Sequence, residues 1–366
     1  MQETVFFGPF IGEFGWELLF WQGWVRKVCR GKFKDSRKIA ASVPGRQPFY
    51  PFVDEFWPLP DSFLELGVSG HGYYTDGWRG GYPGKQYEGF KLRSVVGAIR
   101  HFRLPDRNWM EKPTDGPDVE PRAEAMLASF KENLPENAVY FVPWKWNHYE
   151  ADGLEFGLRI PDGIVPRSDT PVIQKIDFKY QKFDYLESTP LGERALRQIV
   201  PDGHGLIALV PRFREIRRAD KNWRRQKYLD LIRHLQSSWP DFLVALIGEP
   251  GGSYFTNEVP DGCIDLINVD PERRMDIQVA ALKRCVCAIG SMSGAMLVAL
   301  AVGCPTLIWG FASSQARYYR ENFMGTPMVY LSEIDPTVST VVEVLQALKL
   351  MLQNWTRQLD PQAIWK

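Results

Sequence analysis

The chain has 366 residues, with 44 Lys plus Arg balanced by 44 Asp plus Glu, and 45% of its residues are hydrophobic. That length is too great for one ordinary core and suits two domains. Zero net charge gives no global field toward nucleic acid or an anionic membrane, so nucleic acid is not an expected partner and any anion site must be built locally.

The five cysteines, Cys29, Cys263, Cys285, Cys287 and Cys304, are odd in number and form no pair with zinc spacing. They read as buried free thiols in a reducing compartment. The opening residues carry no basic region or cleavage site of a secretory signal. Val5–Val25 is apolar but interrupted by Glu13 and Glu17, and Ala295–Phe311 is broken by Gly303-Cys304-Pro305. Neither offers the roughly 20 uninterrupted apolar residues of a membrane span. The expectation is a soluble, cytoplasmic protein. Peripheral association with the inner membrane face is compatible with this, although no polybasic patch demands it.

In chain order, Thr4–Phe10 reads as a strand, Leu18–Cys29 as a helix and Lys38–Val43 as a strand. Gly67 to Gly89 is rich in Gly and Tyr and reads as long loops; residues 104–122 are polar and rich in Pro. Ala123–Asn133 is an expected helix and Ala138–Val142 an expected strand. Aromatic residues make up 13% of the chain, with 13 Trp. They pack a core or line a groove for a flat, amphipathic ligand such as a sugar.

The second half alternates more clearly. Gly205–Val210, Phe242–Ile247, Cys263–Val269, Cys285–Ile289 and Pro305–Trp309 are short apolar runs typical of buried parallel strands. Between them, Lys227–Gln236, Met275–Arg284 and Ala295–Val302 have helical spacing, the last closed by Gly303. Alternation of this kind implies α/β architecture with parallel sheets, whose ligands bind at the carboxyl ends of the strands. The domain boundary is expected between Leu186 and Gly203. Thr337–Trp355 is an expected helix that could return to the first domain.

Three constellations could carry chemistry. Gly290-Ser291-Met292-Ser293-Gly294 joins a strand to a helix, where small residues, free amides and the helix dipole suit a phosphate. Ser291 and Ser293 add hydroxyls, and Gly294 permits close approach; simple helix capping is the plain alternative. Next, Val210-Pro211-Arg212-Phe213-Arg214-Glu215-Ile216-Arg217-Arg218-Ala219-Asp220-Lys221 begins at a strand end. Arg212 and Arg214 alternate and would project to one side, with Arg218 and Lys221 following; guanidinium groups grip phosphate oxygens in pairs. The alternative is a solvated basic loop. The third, Gly8 to Glu17, holds Gly12, which allows a tight turn, and Glu13 in apolar company, where burial suits a carboxylate to general-base work. Glu17 is a second candidate, and either acid could instead stabilise the helix start. Glu249, after Phe242–Ile247, could accept hydrogen bonds from a ribose or base, or be an exposed turn acid. The five histidines are scattered, no HExxH or Asp-x-Asp pattern occurs, and no metal site is expected.

With these residues in view, the chain resembles glycosyltransferases of the GT-B fold. It is similar to the ADP-heptose-type lipopolysaccharide heptosyltransferases at Gly12-Glu13 and along CAIGSMSGAMLVALAVGCPTLIWG, and more distantly to GDP-fucose transferases along VPRFREIRRADK. The resemblance implies two Rossmann-like domains facing a cleft: an acceptor-side domain at 1–190, a nucleotide-sugar domain at 191–340, and a terminal helical segment at 341–366. It also implies a nucleotide-sugar co-substrate, no metal cofactor, a glycan or lipid-linked glycan acceptor, and inversion at the anomeric centre. Glu13 would be the base, and Arg212, Arg214, Ser293 and Gly294 would lie at the diphosphate. The family's acid is usually Asp where this chain has Glu13. A nucleotide-sugar epimerase or hydrolase on the same fold, or a binding module without turnover, are the rival readings.

Overall fold

The structure is a computed structural model, and it describes residues 2–11, 14–64, 119–142, 181–201, 203–214, 221–333 and 339–356. The chain divides into two compact units, Met1–Phe183 and Asp184–Lys366. The division falls a few residues before the stretch expected from the sequence.

In the first unit, β1 (Thr4–Phe7) leads into a helical run made of α1 (Phe14–Trp16), a π-helical turn (Glu17–Trp21) and α2 (Gln22–Arg30). Then come β2 (Arg37–Ser42), β3 (Glu55–Pro58), α3 (Asp61–Leu64), α4 (Val119–Glu132) and β4 (Val139–Phe141). The strands form a parallel sheet in the order β3-β2-β1-β4. β1 ends at Phe7, earlier than expected, because Pro9 has no N–H to continue the ladder; Gly8 N–H still reaches Phe141 O and Phe10 N–H reaches Ala41 O. Alternation along β1 sends Phe6 to one face, with Ile39, Leu59, Phe63 and Met126. Phe7 goes to the other, among Trp24, Phe33 and Phe141. Trp21, Trp24 and Phe33 are fully buried or nearly so. These aromatic residues are core; the Gly- and Tyr-rich stretch from 67 to 89 lies outside the described residues.

In the second unit, α5 (Pro190–Ile199) is capped by Thr189 and carries Pro at its first position. It is followed by β5 (Gly205–Val210), α6 (Arg225–Ser238), β6 (Phe242–Leu246), β7 (Cys263–Asp265), α7 (Arg274–Arg284), β8 (Cys285–Ser291), α8 (Gly294–Val302), β9 (Thr306–Phe311), α9 (Ala312–Glu321), β10 (Met328–Glu333) and α10 (Val341–Thr356). β7 is shorter than expected because the Asp265 carboxylate turns the chain, accepting from the amides of Ile267 and Asn268. Gly303 closes α8 in the left-handed conformation, φ +88°.

The second sheet is wholly parallel, in the order β10-β9-β8-β5-β6-β7. Sequence order therefore runs outward in both directions from the β5/β8 pair, the pattern of a doubly wound sheet with its switch point there. Its core joins Ile207, Leu209, Leu231, Val244, Leu307 and Trp309. Val344, Leu348 and Met351 of α10 belong to this same core. The described turns of the last helix are thus part of the second unit's core. No helix among the described residues is long and apolar enough to cross a membrane. All five cysteines are free thiols, four of them buried.

Candidate functional site

The switch point of the second sheet lies between β5 and β8, where Val210 pairs with Gly290. Two of the three constellations leave the sheet at that place. Pro211 and Arg212 follow β5; Met292 and Ser293 follow β8 and lead into α8.

The β5 exit is held firmly. Arg212 forms an antiparallel bridge with Ser253, Phe213 N–H donates to Gly252 O, and Tyr254 N–H donates to Pro211 O. The partner loop owes its shape to a turn in which Gly252 N–H reaches Glu249 O, with Pro250 and then Gly251 at φ +76° in its centre. Arg212 is only 6% exposed. Its Nη1 donates to Asn222 Oδ1 at 2.5 Å, and the same oxygen accepts from Arg214 N–H at 3.0 Å. Asn222 Nδ2 returns a bond to Arg214 O at 2.7 Å.

Three tyrosines sense the Arg212 charge. Burial pushes the Tyr228 hydroxyl well above its usual range, while Ser291 and Arg212 pull it back. Tyr254 is likewise raised by burial and lowered by Arg212, and Tyr318 is raised by burial and lowered mainly by Arg317, with Arg212 adding least. The Tyr228 hydroxyl lies 3.3 Å from Ser291 Oγ, and Tyr318 donates to Ser293 O at 3.3 Å. These hydroxyls stay protonated and can donate.

Ser293 caps α8, its hydroxyl accepting from Met296 N–H. The first amides of any helix have no carbonyl within it to bond, and here those belong to Gly294 and Ala295, both half-buried. The strand that leads to Arg212 and the strand that leads to α8 thus end side by side at one switch point, the position at which parallel α/β sheets bind their ligands.

Ser291 is the last residue of its strand. β8 extends through it, and its hydroxyl is fully buried against Tyr228 rather than displayed on a loop. Gly290 is explained by packing: a Cβ there would lie 2.8 Å from Val210 Cβ and 3.0 Å from Met296 Sδ. Glu249 is an exposed turn residue whose charge reaches Arg274. Arg214 and Lys221 are half-buried at either end of the basic loop; Arg218 lies outside the described residues. Sequence reasoning missed Asn222, Tyr228 and Tyr318, which have no local pattern to reveal them. It also missed Gln278, whose amide donates to Gly248 O and Leu266 O and so ties the ends of β6 and β7 together.

In the first unit, Gly12 and Glu13 lie outside the described residues. Glu17 is fully buried at the start of the π-helical turn. One carboxylate oxygen accepts from the hydroxyls of Ser42 and Tyr50, each at 2.5 Å, and the other binds Arg46. Burial and the neighbouring Glu17 hold Tyr50 well above its ordinary range, so it remains a donor. Arg46 also lies over the Phe14 ring, 5.3 Å from its centre. With both oxygens occupied, Glu17 has the surroundings of a group that positions its neighbours. Among the described residues no three His, Cys, Asp or Glu side chains converge as a metal site.

No protein-family model and no curated protein matches this sequence. Solved structures do match. A glycosyl transferase of family 9 from Veillonella parvula is similar over 96% of this chain and 97% of its own, with a TM-score of 0.56 and 11% identity. The E. coli ADP-heptose lipopolysaccharide heptosyltransferase II matches over 97% of this chain and 100% of its own, with a TM-score of 0.52 and 15% identity. At such identity the likeness speaks for the fold: this chain has the GT-B-type, two-unit parallel α/β architecture of these glycosyltransferase structures.

Proposed function

We propose that the protein is a glycosyltransferase that moves a sugar from a nucleotide-sugar donor to a hydroxyl of a glycan or lipid-linked glycan, with inversion and without a metal. The observation that carries this reading is that β5, which leads to Arg212, and β8, which leads to α8, end side by side at the switch point of the second sheet. As the sugar leaves, charge grows on the departing diphosphate. Arg212, the amides of Gly294 and Ala295, and the basic residues Arg214, Arg218 and Lys221 stabilise it, and Ser291 supports Arg212 through Tyr228. Glu249 would serve the nucleoside side of the donor. Glu13, after Gly12, takes the acceptor proton as general base, with Glu17 as the second candidate acid. The reading fits work in the cytoplasm on surface polysaccharide precursors.

A thermal-shift panel with GDP, UDP, ADP, CMP and dTDP, in EDTA, tests the donor site. A ligand that binds only the folded state raises stability with the logarithm of its concentration over Kd. One nucleoside diphosphate should raise the melting temperature, and Arg212→Ala should abolish the rise. Glu13→Gln should keep that rise and lose transfer. If no nucleotide shifts the wild type, the donor-site assignment is wrong; full transfer by Glu13→Gln removes Glu13 as base.

A further inference from the structure

Asn222 links the end of β5 to the approach to α6 through Arg212 and Arg214. Its neighbour Trp223 is fully buried in the second unit's core, and the indole N–H donates to Ser339 O at 2.8 Å. Asn222 is therefore attached to a fixed point. From there one amide makes three contacts: Oδ1 accepts from Arg212 Nη1 and from Arg214 N–H, and Nδ2 donates to Arg214 O. The end of β5 and the approach to α6 are closed onto each other by this side chain, and Lys221 precedes it directly.

We propose that Asn222 is a positioning residue that fixes the direction of Arg212 and the path of Arg214 for an incoming diphosphate; this rests on the donor-site reading above. The choice of side chain matters. An amide accepts a guanidinium N–H without cancelling its charge. A carboxylate of the same shape would pair with Arg212 and compete with the ligand's phosphate for the same fork of donors. A free guanidinium on a flexible stem would lose rotamer freedom at each binding event, whereas a guanidinium already held loses little.

The test uses inorganic pyrophosphate as the probe, with calorimetric titration of the full chain at two ionic strengths beside a thermal melt. Asn222→Ala keeps every charge but removes the bond that the amide makes to Arg212. It should bind about tenfold more weakly, with a salt dependence like the wild type's and a melt within a few degrees of it. Asn222→Asp preserves shape but removes one net positive charge. It should bind more weakly than Asn222→Ala, and its affinity should depend less on salt. Wild-type affinity in both variants, or binding by Asn222→Asp at least as tight as by Asn222→Ala, overturns the assignment and leaves the donor site standing. So does a loss in both variants that merely follows a large fall in melting temperature with unchanged salt dependence. A wild type that ignores pyrophosphate defeats the donor-site reading and this one with it.

Discussion

Glu17→Ala offers a direct measure of what holds the first unit together. The substitution deletes a carboxylate with no exposed surface and leaves Arg46, whose side chain is 14% exposed, without that counter-charge. It also strips an acceptor from the buried hydroxyls of Ser42 and Tyr50. Removing one partner of a buried pair costs about 3–5 kcal/mol, chiefly because the remaining charge is uncompensated. The two hydroxyls belong to the same network, so their contributions are not added separately. For a unit of about 150–250 residues each kcal/mol moves the melting midpoint by about 2–4 °C. The first unit's transition should therefore fall by roughly 6–20 °C in scanning calorimetry. Replacing both partners, as Glu17→Leu with Arg46→Met, should recover much of the loss, since apolar residues of similar volume substitute well for a buried pair. A melt of Glu17→Ala within a degree or two of the wild type would refute this account. Loss of transfer with an unchanged melt would refute it differently, by giving Glu17 a direct chemical role.

Two further outcomes follow from the second unit. Asp276 accepts from Thr189 N–H at 2.7 Å and from its hydroxyl, and a Cβ on Gly192 would lie 2.5 Å from the Asp276 carboxyl carbon. Asp276→Ala should cost about 1–3 kcal/mol by orphaning the Thr189 donors, and Gly192→Ala a similar amount by crowding. In denaturant titrations the double variant should lose less than the sum, because deleting the carboxyl relieves the crowding; strict additivity would show the two do not meet. Alkaline pH should also destabilise the fold. Burial raises Cys29, Cys263 and Cys287 from the ordinary thiol value of 9.0 to about 12, and Cys285 and Cys304 rise as well. A group with a raised folded pKa holds its proton more tightly in the native state, so its contribution is complete below about pH 9 and is lost progressively toward pH 12. Stability should be flat with pH just below 9 and fall above it, and native thiols should resist an aromatic disulfide reagent at pH 8 while the denatured chain reacts. Rapid native reaction of Cys29, Cys285, Cys287 and Cys304 would contradict their burial.

How much of this was legible in the sequence depended on the range of the causes. Runs such as GLIALV and CVCAI announce buried parallel strands because both faces are covered, and that requirement acts residue by residue. The loops after β5 and β8 could be singled out for the same reason: strand, turn chemistry and helix start are contiguous. That they meet at a switch point depends on strand order, which no local pattern encodes. Gly290 shows the limit well. A glycine beside serines suggests close approach by a ligand, yet its neighbours in space, Val210 and Met296, already forbid a side chain. Glu17 shows it again, since Ser42, Arg46 and Tyr50 lie 25 to 33 residues further along the chain. The same separation of scales explains why Asn222 escaped notice while Arg212 did not. An arginine advertises charge by its type alone, whereas the value of an asparagine lies wholly in the three contacts that folding gives it. A diphosphate site needs both kinds of residue, because charge without a fixed direction attracts an anion but does not hold a transition state.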